Sequence, residues 1–289
     1  MTFGTVAILG PGLIGGSLAL ALAERELVDK LVIYARSARA LDAIRTAGVN
    51  AELTGNPSEA VRDADVVVLC VPIEAMPVLV NEIRDALKPT ALVTDVGSVK
   101  GSVDRDLAPL LDDRALWVGS HPMAGSEQAG FTAARADLFV GAAVVVTPTK
   151  HTQPEAERRA EQFWGAIGGR VLKSDPQWHD LAVAQVSHIP HLMAALLVNN
   201  VSDKSTEAAG SGFRDTTRVA SGSPELWTEI IWANRESIRV ALQPLILELQ
   251  NTQEALKGED KSPLRDILQC AHDLRSKLIE THPLFKKRS

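Results

Sequence analysis

The segment GSHPMAG (119–125) holds one histidine, His121, that no turn requires. An imidazole exchanges protons near neutral pH, so His121 is a candidate for acid/base work if other groups converge on it. The stretch VAILGPGLIGGSLA supplies a second chemistry, with Gly10, Gly12 and Gly15 in the GxGxxG spacing. Gly10 permits a tight turn, Gly12 lets a pyrophosphate approach the backbone, and Gly15 lets a helix pack closely on a strand. Leu13 and Ile14 open that helix, whose free N–H groups and dipole favour an anion. About twenty residues further on, an acid would bind the ribose 2′-hydroxyl of NAD. The sequence there is YARSAR, with Ala35, Arg36, Ser37 and Arg39 in place of a carboxylate. Arg36 pairs well with a 2′-phosphate and Ser37 adds a hydroxyl, which favours NADP. With Arg36 stacked on adenine instead, NAD is accepted as well.

Further polar groups follow strand ends or sit on helices. CVP, with Val71 and Pro72, ends one apolar run, and TDVGSVKG, with Asp95, Ser98 and Lys100, ends the next. Ser98 also reads as an N-cap for a helix beginning at Val99. VSHIPHLM sets His188 and His191 three apart on one helix face, with Pro190 distorting the turn between them. No third ligand stands at a characteristic spacing, so no metal is expected. GFRDTTRV brings Arg214, Asp215 and Arg218, the first two readable as a structural ion pair.

These groups need a frame. Apolar, β-rich runs at 5–9, 30–34, 65–70, 91–95, 116–119 and 142–147 alternate with helical patterns at 14–24, 37–47, 75–87 and 99–111. That alternation predicts a doubly wound, mostly parallel α/β sheet covered on both faces, with ligands at the carboxyl ends of its strands. A helix at 155–167 and a strand at 170–174 follow. From Pro176 onward only long helical patterns remain, at 176–201, 224–256 and 263–280, with Pro190 and Pro244 expected to kink or break two of them. The reading is a dinucleotide-binding domain over 1–174 and an all-helical domain over 175–289, whose long helices suit a homodimer interface.

Composition narrows the function. A chain of 289 residues with 45% hydrophobic and 23% charged residues reads as an ordinary globular protein. Its net charge of −6 and lack of a long basic block argue against nucleic acid. The closing FKKRS reads as a frayed basic tail. No apolar run approaches the ~20 residues of a membrane helix, and no signal peptide opens the chain. Two cysteines, Cys70 and Cys270, fit reduced thiols in the cytoplasm.

GPGLIGGS, VTDVGSVKG, GSHPMAGSEQAG, SHIPH and GFRDTTRVASGSPELW, in this order from residue 8 to about 235, resemble the prephenate/arogenate dehydrogenase family of tyrosine biosynthesis. The resemblance implies a Rossmann-type domain followed by a helical dimerisation domain, and oxidative decarboxylation of prephenate or arogenate with hydride transfer to NAD(P). It implies that His121 accepts a hydrogen bond from the ring hydroxyl whose carbon loses hydride, with Ser98 hydrogen-bonded beside it. Arg218 matches the carboxylate-binding arginine, and Lys100 is placed to hold the second carboxylate. His191 and Trp227 would line the ring pocket, and His188 would orient the residues that do. The rival readings are an NADP-dependent β-hydroxyacid-type dehydrogenase, which would use a helix lysine as its acid/base, and a non-enzymatic dinucleotide-binding protein.

Overall fold

The computed structural model describes residues 2–112, 114–125, 128 and 130–282. The FKKRS tail and residues 126, 127 and 129 of the GSHPMAGSEQAG motif lie outside the described residues. Two compact units divide the chain, residues 1–238 and 239–289.

In the first unit, the strands β1 (Thr5–Leu9), β2 (Lys30–Tyr34), β3 (Glu52–Thr54), β4 (Val66–Leu69), β5 (Leu92–Asp95) and β6 (Leu116–Trp117) form one sheet. Its order is β3-β2-β1-β4-β5-β6 and every pairing is parallel. Alternate residues serve opposite faces, as the strand period requires. Val6, Ile8, Val66 and Val68 pack with Leu18, Phe163 and Trp164, while Ala7, Leu9, Val67 and Leu69 pack with Met76, Leu79 and Leu107. Burial on both faces is why these strands read as continuous apolar runs.

The covering helices are α1 (Leu13–Glu24), α2 (Ala38–Thr46), α3 (Pro57–Val61), α4 (Met76–Ile83), α5 (Gly101–Leu111) and α6 (Pro154–Ala166). Strand order reverses between β1 and β4, which opens a crevice at their carboxyl ends. A smaller sheet of β7 (Gly119–Pro122), β8 (Ala143–Thr147) and β9 (Arg170–Lys173) follows in the order β7-β8-β9. β7 runs antiparallel to β8, with His121 opposite Val145, and β9 is parallel to β8.

The helical segments are α7 (Pro176–Val183), α8 (Ile189–Asn199), α9 (Asp203–Thr206), α10 (Ser211–Thr217) and α11 (Pro224–Ala233), then α12 (Arg235–Ala255) and α13 (Ser262–Thr281). Residues Ala184–His188 form a π-helical turn between α7 and α8. Pro190 lacks an N–H, and its ring crowds the carbonyl four residues back, so the widened turn replaces a broken one. In the second unit, Val240, Ile246, Leu247, Leu249, Leu268, Leu274 and Ile279 are exposed.

Several expectations are corrected. The run 116–119 splits between two sheets at Val118. β3 and α3 carry too little apolar pattern to be read from sequence. The pattern 224–256 breaks at Asn234, and α12 runs through Pro244 without interruption. The helix after β5 starts at Gly101, so Ser98 does not cap it; the Asp180 carboxylate from α7 does, accepting from the Lys100 N–H at 2.7 Å and the Gly101 N–H at 2.8 Å. The stretch Pro176–Asn199 has the length and hydropathy of a membrane span, yet it carries buried Asp180, His179, His188 and His191, the first three of them hydrogen-bonded to polar partners.

Candidate active site

The crevice begins at the glycine turn. Gly10 has φ +105°, and a Cβ there would lie 2.5 Å from the Cys70 carbonyl oxygen, so β1 and the end of β4 approach as only glycine allows. A Cβ on Gly15 would lie 2.2 Å from the Gly10 oxygen, which explains the third glycine. Around Gly12 there is open space within 4 Å of a Cβ position. Gly12 is the N-cap of α1, it offers no side-chain cap, and the first turn has no acid to compete for the Leu13 and Ile14 N–H groups. These features fit a dinucleotide pyrophosphate. Ala35 is buried, while Arg36, Ser37 and Arg39, just beyond the carboxyl end of β2, are exposed. The Ser37 hydroxyl oxygen accepts the Ala40 N–H at 3.2 Å and so caps α2.

Asp95, at the carboxyl end of β5, is fully buried and organises the next layer. It accepts the Gly97 N–H at 2.8 Å and the Ser120 N–H at 3.0 Å, tying β7 and therefore His121 to β5. The Ser120 hydroxyl donates to the Asp95 carbonyl at 2.6 Å. Lys100 corrects an expectation: its side chain is wholly buried, ion-paired with Asp95, and donates to the Ser120 carbonyl at 2.8 Å. It is committed to the frame rather than presented to a substrate carboxylate. Burial pulls its ammonium below the ordinary lysine value, against the pull of Asp95.

His121 hydrogen-bonds through Nδ1 to His179 Nε2 at 2.9 Å, and His179 Nδ1 meets Asp180 at 2.8 Å. Ser98 is half-buried, and among the described residues the ring partner of His121 is His179. A carboxylate only accepts, so the proton of neutral His179 is on Nδ1 and its Nε2 carries a lone pair. His121 therefore donates from Nδ1, and its Nε2 is the acceptor. Burial holds the His121 imidazole well below its ordinary value, reinforced by His179, Lys100 and His188. His179 is lowered by burial, against the opposing Asp180.

The helical residues join the same network. Asn234, buried at the α11–α12 break, donates to the Asp180 carbonyl at 2.8 Å and lies 3.1 Å from His188 Nδ1. Burial pushes His188 down to about 4. His191 stacks on Trp227 with ring centroids 3.5 Å apart at 16°, and His188 meets the same indole edge-on at 6.2 Å. Buried His191 Nδ1 has no hydrogen-bond partner among the described residues, and burial lowers its pKa. Arg218 is exposed in a 3₁₀ turn, Arg218–Ser221, that packs on α8. Arg214 pairs with Asp215 at 2.9 Å, as expected.

Sequence reasoning missed His179, Asp180 and Asn234. The adjacent His-Asp pair in WHD (178–180) was the available signal; nothing marked Asn234. Among the described residues, no three His, Cys, Asp or Glu side chains gather to hold a metal.

Comparisons with known proteins cover both parts of the chain. The family profile "Prephenate dehydrogenase, nucleotide-binding domain" matches residues 18–173. "Prephenate dehydrogenase, dimerization domain" matches 175–270. The cyclohexadienyl dehydrogenase of Zymomonas mobilis is 34% identical over 98% of both chains. The prephenate dehydrogenase of Bacillus subtilis is 31% identical over 95% of this chain and 76% of its own length. The crystal structure of prephenate dehydrogenase from A. aeolicus, in complex with hydroxyphenyl propionate and NAD+, superposes with a TM-score of 0.90 at 29% identity, covering 96% of this chain and 99% of that one.

Proposed function

We propose a mechanism for this chain, which belongs to the prephenate dehydrogenase family, built on the Nε2 of His121, for which the described residues offer no hydrogen-bond partner. The enzyme is an oxidoreductase that oxidatively decarboxylates a small cyclohexadiene acid, prephenate or arogenate, with hydride transfer to a nicotinamide dinucleotide. When bound, the dinucleotide supplies the hydride acceptor. The ring hydroxyl donates to His121 Nε2, which takes its proton as hydride leaves the carbinol carbon. Carbon dioxide departs from the opposite ring carbon and the ring becomes aromatic. His179 holds His121 in the accepting tautomer, and Asp180 stabilises the positive charge that develops along the pair. Burial excludes water and keeps His121 neutral at pH 7.

Ser98 contacts substrate or dinucleotide from the loop after β5, without the His121 hydrogen bond. Arg218 binds a substrate carboxylate by its planar fork. His191, stacked on Trp227, offers its unpaired Nδ1 to the bound ring or its side chain, and His188 orients that pair. Gly10, Gly12, Leu13, Ile14, Gly15, Val71 and Pro72 form the dinucleotide cleft. Ala35 in place of an acid, with Arg36 and Ser37 at the acid-free start of α2, favours NADP, with NAD usable. The functional division falls at residue 174, and 175–289 forms a homodimer through exposed apolar residues such as Leu196, Leu197 and Trp232. Free Cys70 and Cys270 suit the reducing cytoplasm. The β-hydroxyacid alternative is not favoured by the comparisons.

Initial rates with prephenate and arogenate, each with NAD and NADP, test this reading. Turnover of either acid is expected, faster with NADP. Silence in all four combinations from a protein that binds dinucleotide would refute the assignment.

A further inference from the structure

The chain after β4 enters a single 3₁₀ turn, Ile73–Ala75, immediately beyond the Val71–Pro72 pair at the dinucleotide crevice. No side chain of its own segment caps this turn. Instead the Glu74 N–H donates at 2.8 Å to the carboxylate of Glu229, 155 residues away on α11. The same turn touches the loop that carries Ser98: a Cβ on Gly97 would lie 3.3 Å from Ile73 Cγ1. Glu229 sits two residues past Trp227, whose ring is stacked on His191. One charge-assisted hydrogen bond thus joins the dinucleotide-side turn, and through Ile73 the Ser98 loop, to the helix that holds the aromatic wall of the substrate pocket.

We infer that Glu229 is a positioning residue that couples occupancy of the dinucleotide crevice to the shape of the Trp227–His191 pocket. The inference rests on the proposed assignment of those two sites. Dinucleotide held against the Val71–Pro72 end of the turn fixes Glu74, and the Glu229 bond fixes α11 in turn. Neither Glu74 nor Glu229 contacts the reacting atoms in this scheme. Their role is to make binding at one site favour binding at the other, by the same factor in either direction.

Calorimetric titration with hydroxyphenyl propionate, with and without oxidised dinucleotide, reads that coupling directly. In the unmodified enzyme the dinucleotide is expected to tighten hydroxyphenyl propionate binding by about fivefold or more. Glu229→Ala should bring the ratio close to one, with unchanged thermal stability. Glu229→Gln retains an acceptor oxygen and should keep the ratio within about twofold of the unmodified enzyme. A Glu229→Ala ratio equal to that of the unmodified enzyme, or no coupling in the unmodified enzyme, overturns the inference. A protein that neither binds hydroxyphenyl propionate nor turns over either cyclohexadiene acid overturns the assignment itself, and the coupling with it.

Discussion

Replacing Asp180 by Asn separates the electrostatic work of this carboxylate from its work as a helix cap. One carboxylate oxygen accepts from the Lys100 N–H and from His179 Nδ1, and the other from the Gly101 N–H. An asparagine keeps two of these three bonds by turning its oxygen toward Lys100 and His179. Its amide nitrogen then faces the Gly101 N–H, a donor against a donor. That contact costs about 1–3 kcal/mol of stability, a loss visible by thermal denaturation without unfolding the protein at assay temperature. The His179 tautomer survives, and the negative charge does not. Asp180 stands one ring and two hydrogen bonds from His121 Nδ1, about 8 Å along the chain, so at an effective dielectric of ~20 its charge contributes about 2 kcal/mol toward a proton on His121. The expected loss in kcat is therefore about 30-fold. Dinucleotide KM should change little, because the glycine turn is untouched. The assay is reduced-nicotinamide absorbance at saturating substrate, measured from pH 5 to 9, with the acid limb expected to move to lower pH. A kcat within twofold of the unmodified enzyme, with the acid limb in place, would show that Asp180 is a cap and nothing more.

Four other expectations follow from the same geometry. Because burial lowers His121 and His179, kcat/KM should stay level from pH 8 down past 6.5 and fall only in more acidic solution; an acid limb centred at 6.5 or above contradicts the burial argument. Stability carries a related signature. With His188 pushed down to about 4 from an ordinary 6.5, the unfolded chain binds the proton first as pH drops. The His188 contribution is complete above 6.5 and declines by about 3 kcal/mol between 6.5 and 4, which urea titrations at several pH values would register. Gly15→Ala forces a Cβ to 2.2 Å from the Gly10 oxygen, so dinucleotide affinity should drop at least about tenfold, and an unaltered Kd by fluorescence titration would contradict the packing. Arg36→Ala should raise the KM for NADP about tenfold or more and leave that for NAD within twofold; equal effects on both would remove Arg36 from 2′-phosphate recognition.

Much of this architecture is legible because burial on both faces imposes a simple pattern. The runs that became β1, β2, β4 and β5 could not be other than interior strands, and the glycine spacing located the crevice. The smaller elements carry no such pattern: β3 has three residues and α3 five. Long-range polar pairing was the least visible. Lys100 looked available because lysines are usually exposed, and only the fold sets Asp95 against it. His179 and Asp180 gain their role from residues 58 and 80 positions away. Asn234 takes its place from a helix break that the apolar periodicity runs straight across. Sequence reasoning therefore found the glycine turn and His121 better than the buried groups that hold them in place.

The π-helical turn at Ala184–His188 has a further consequence, one of phase. In an α-helix each residue advances the side-chain direction by about 100°, so nine residues from His179 to His188 would leave the two rings on opposite sides. The wide turn slows that advance and lets His179 reach His121 while His188 reaches Asn234. Orientation here is set by the count of residues between the histidines more than by their identity. Substitutions at exposed Val186, 69% accessible, leave that count intact. Removing one residue between the histidines would let the turn close to ordinary α geometry, in which eight steps of about 100° give nearly the ring angle that the widened turn gives over nine. The turn is therefore a place where the chain carries one residue more than the ring placement needs, and homologous chains are expected to differ by that one residue along this stretch while keeping both histidines.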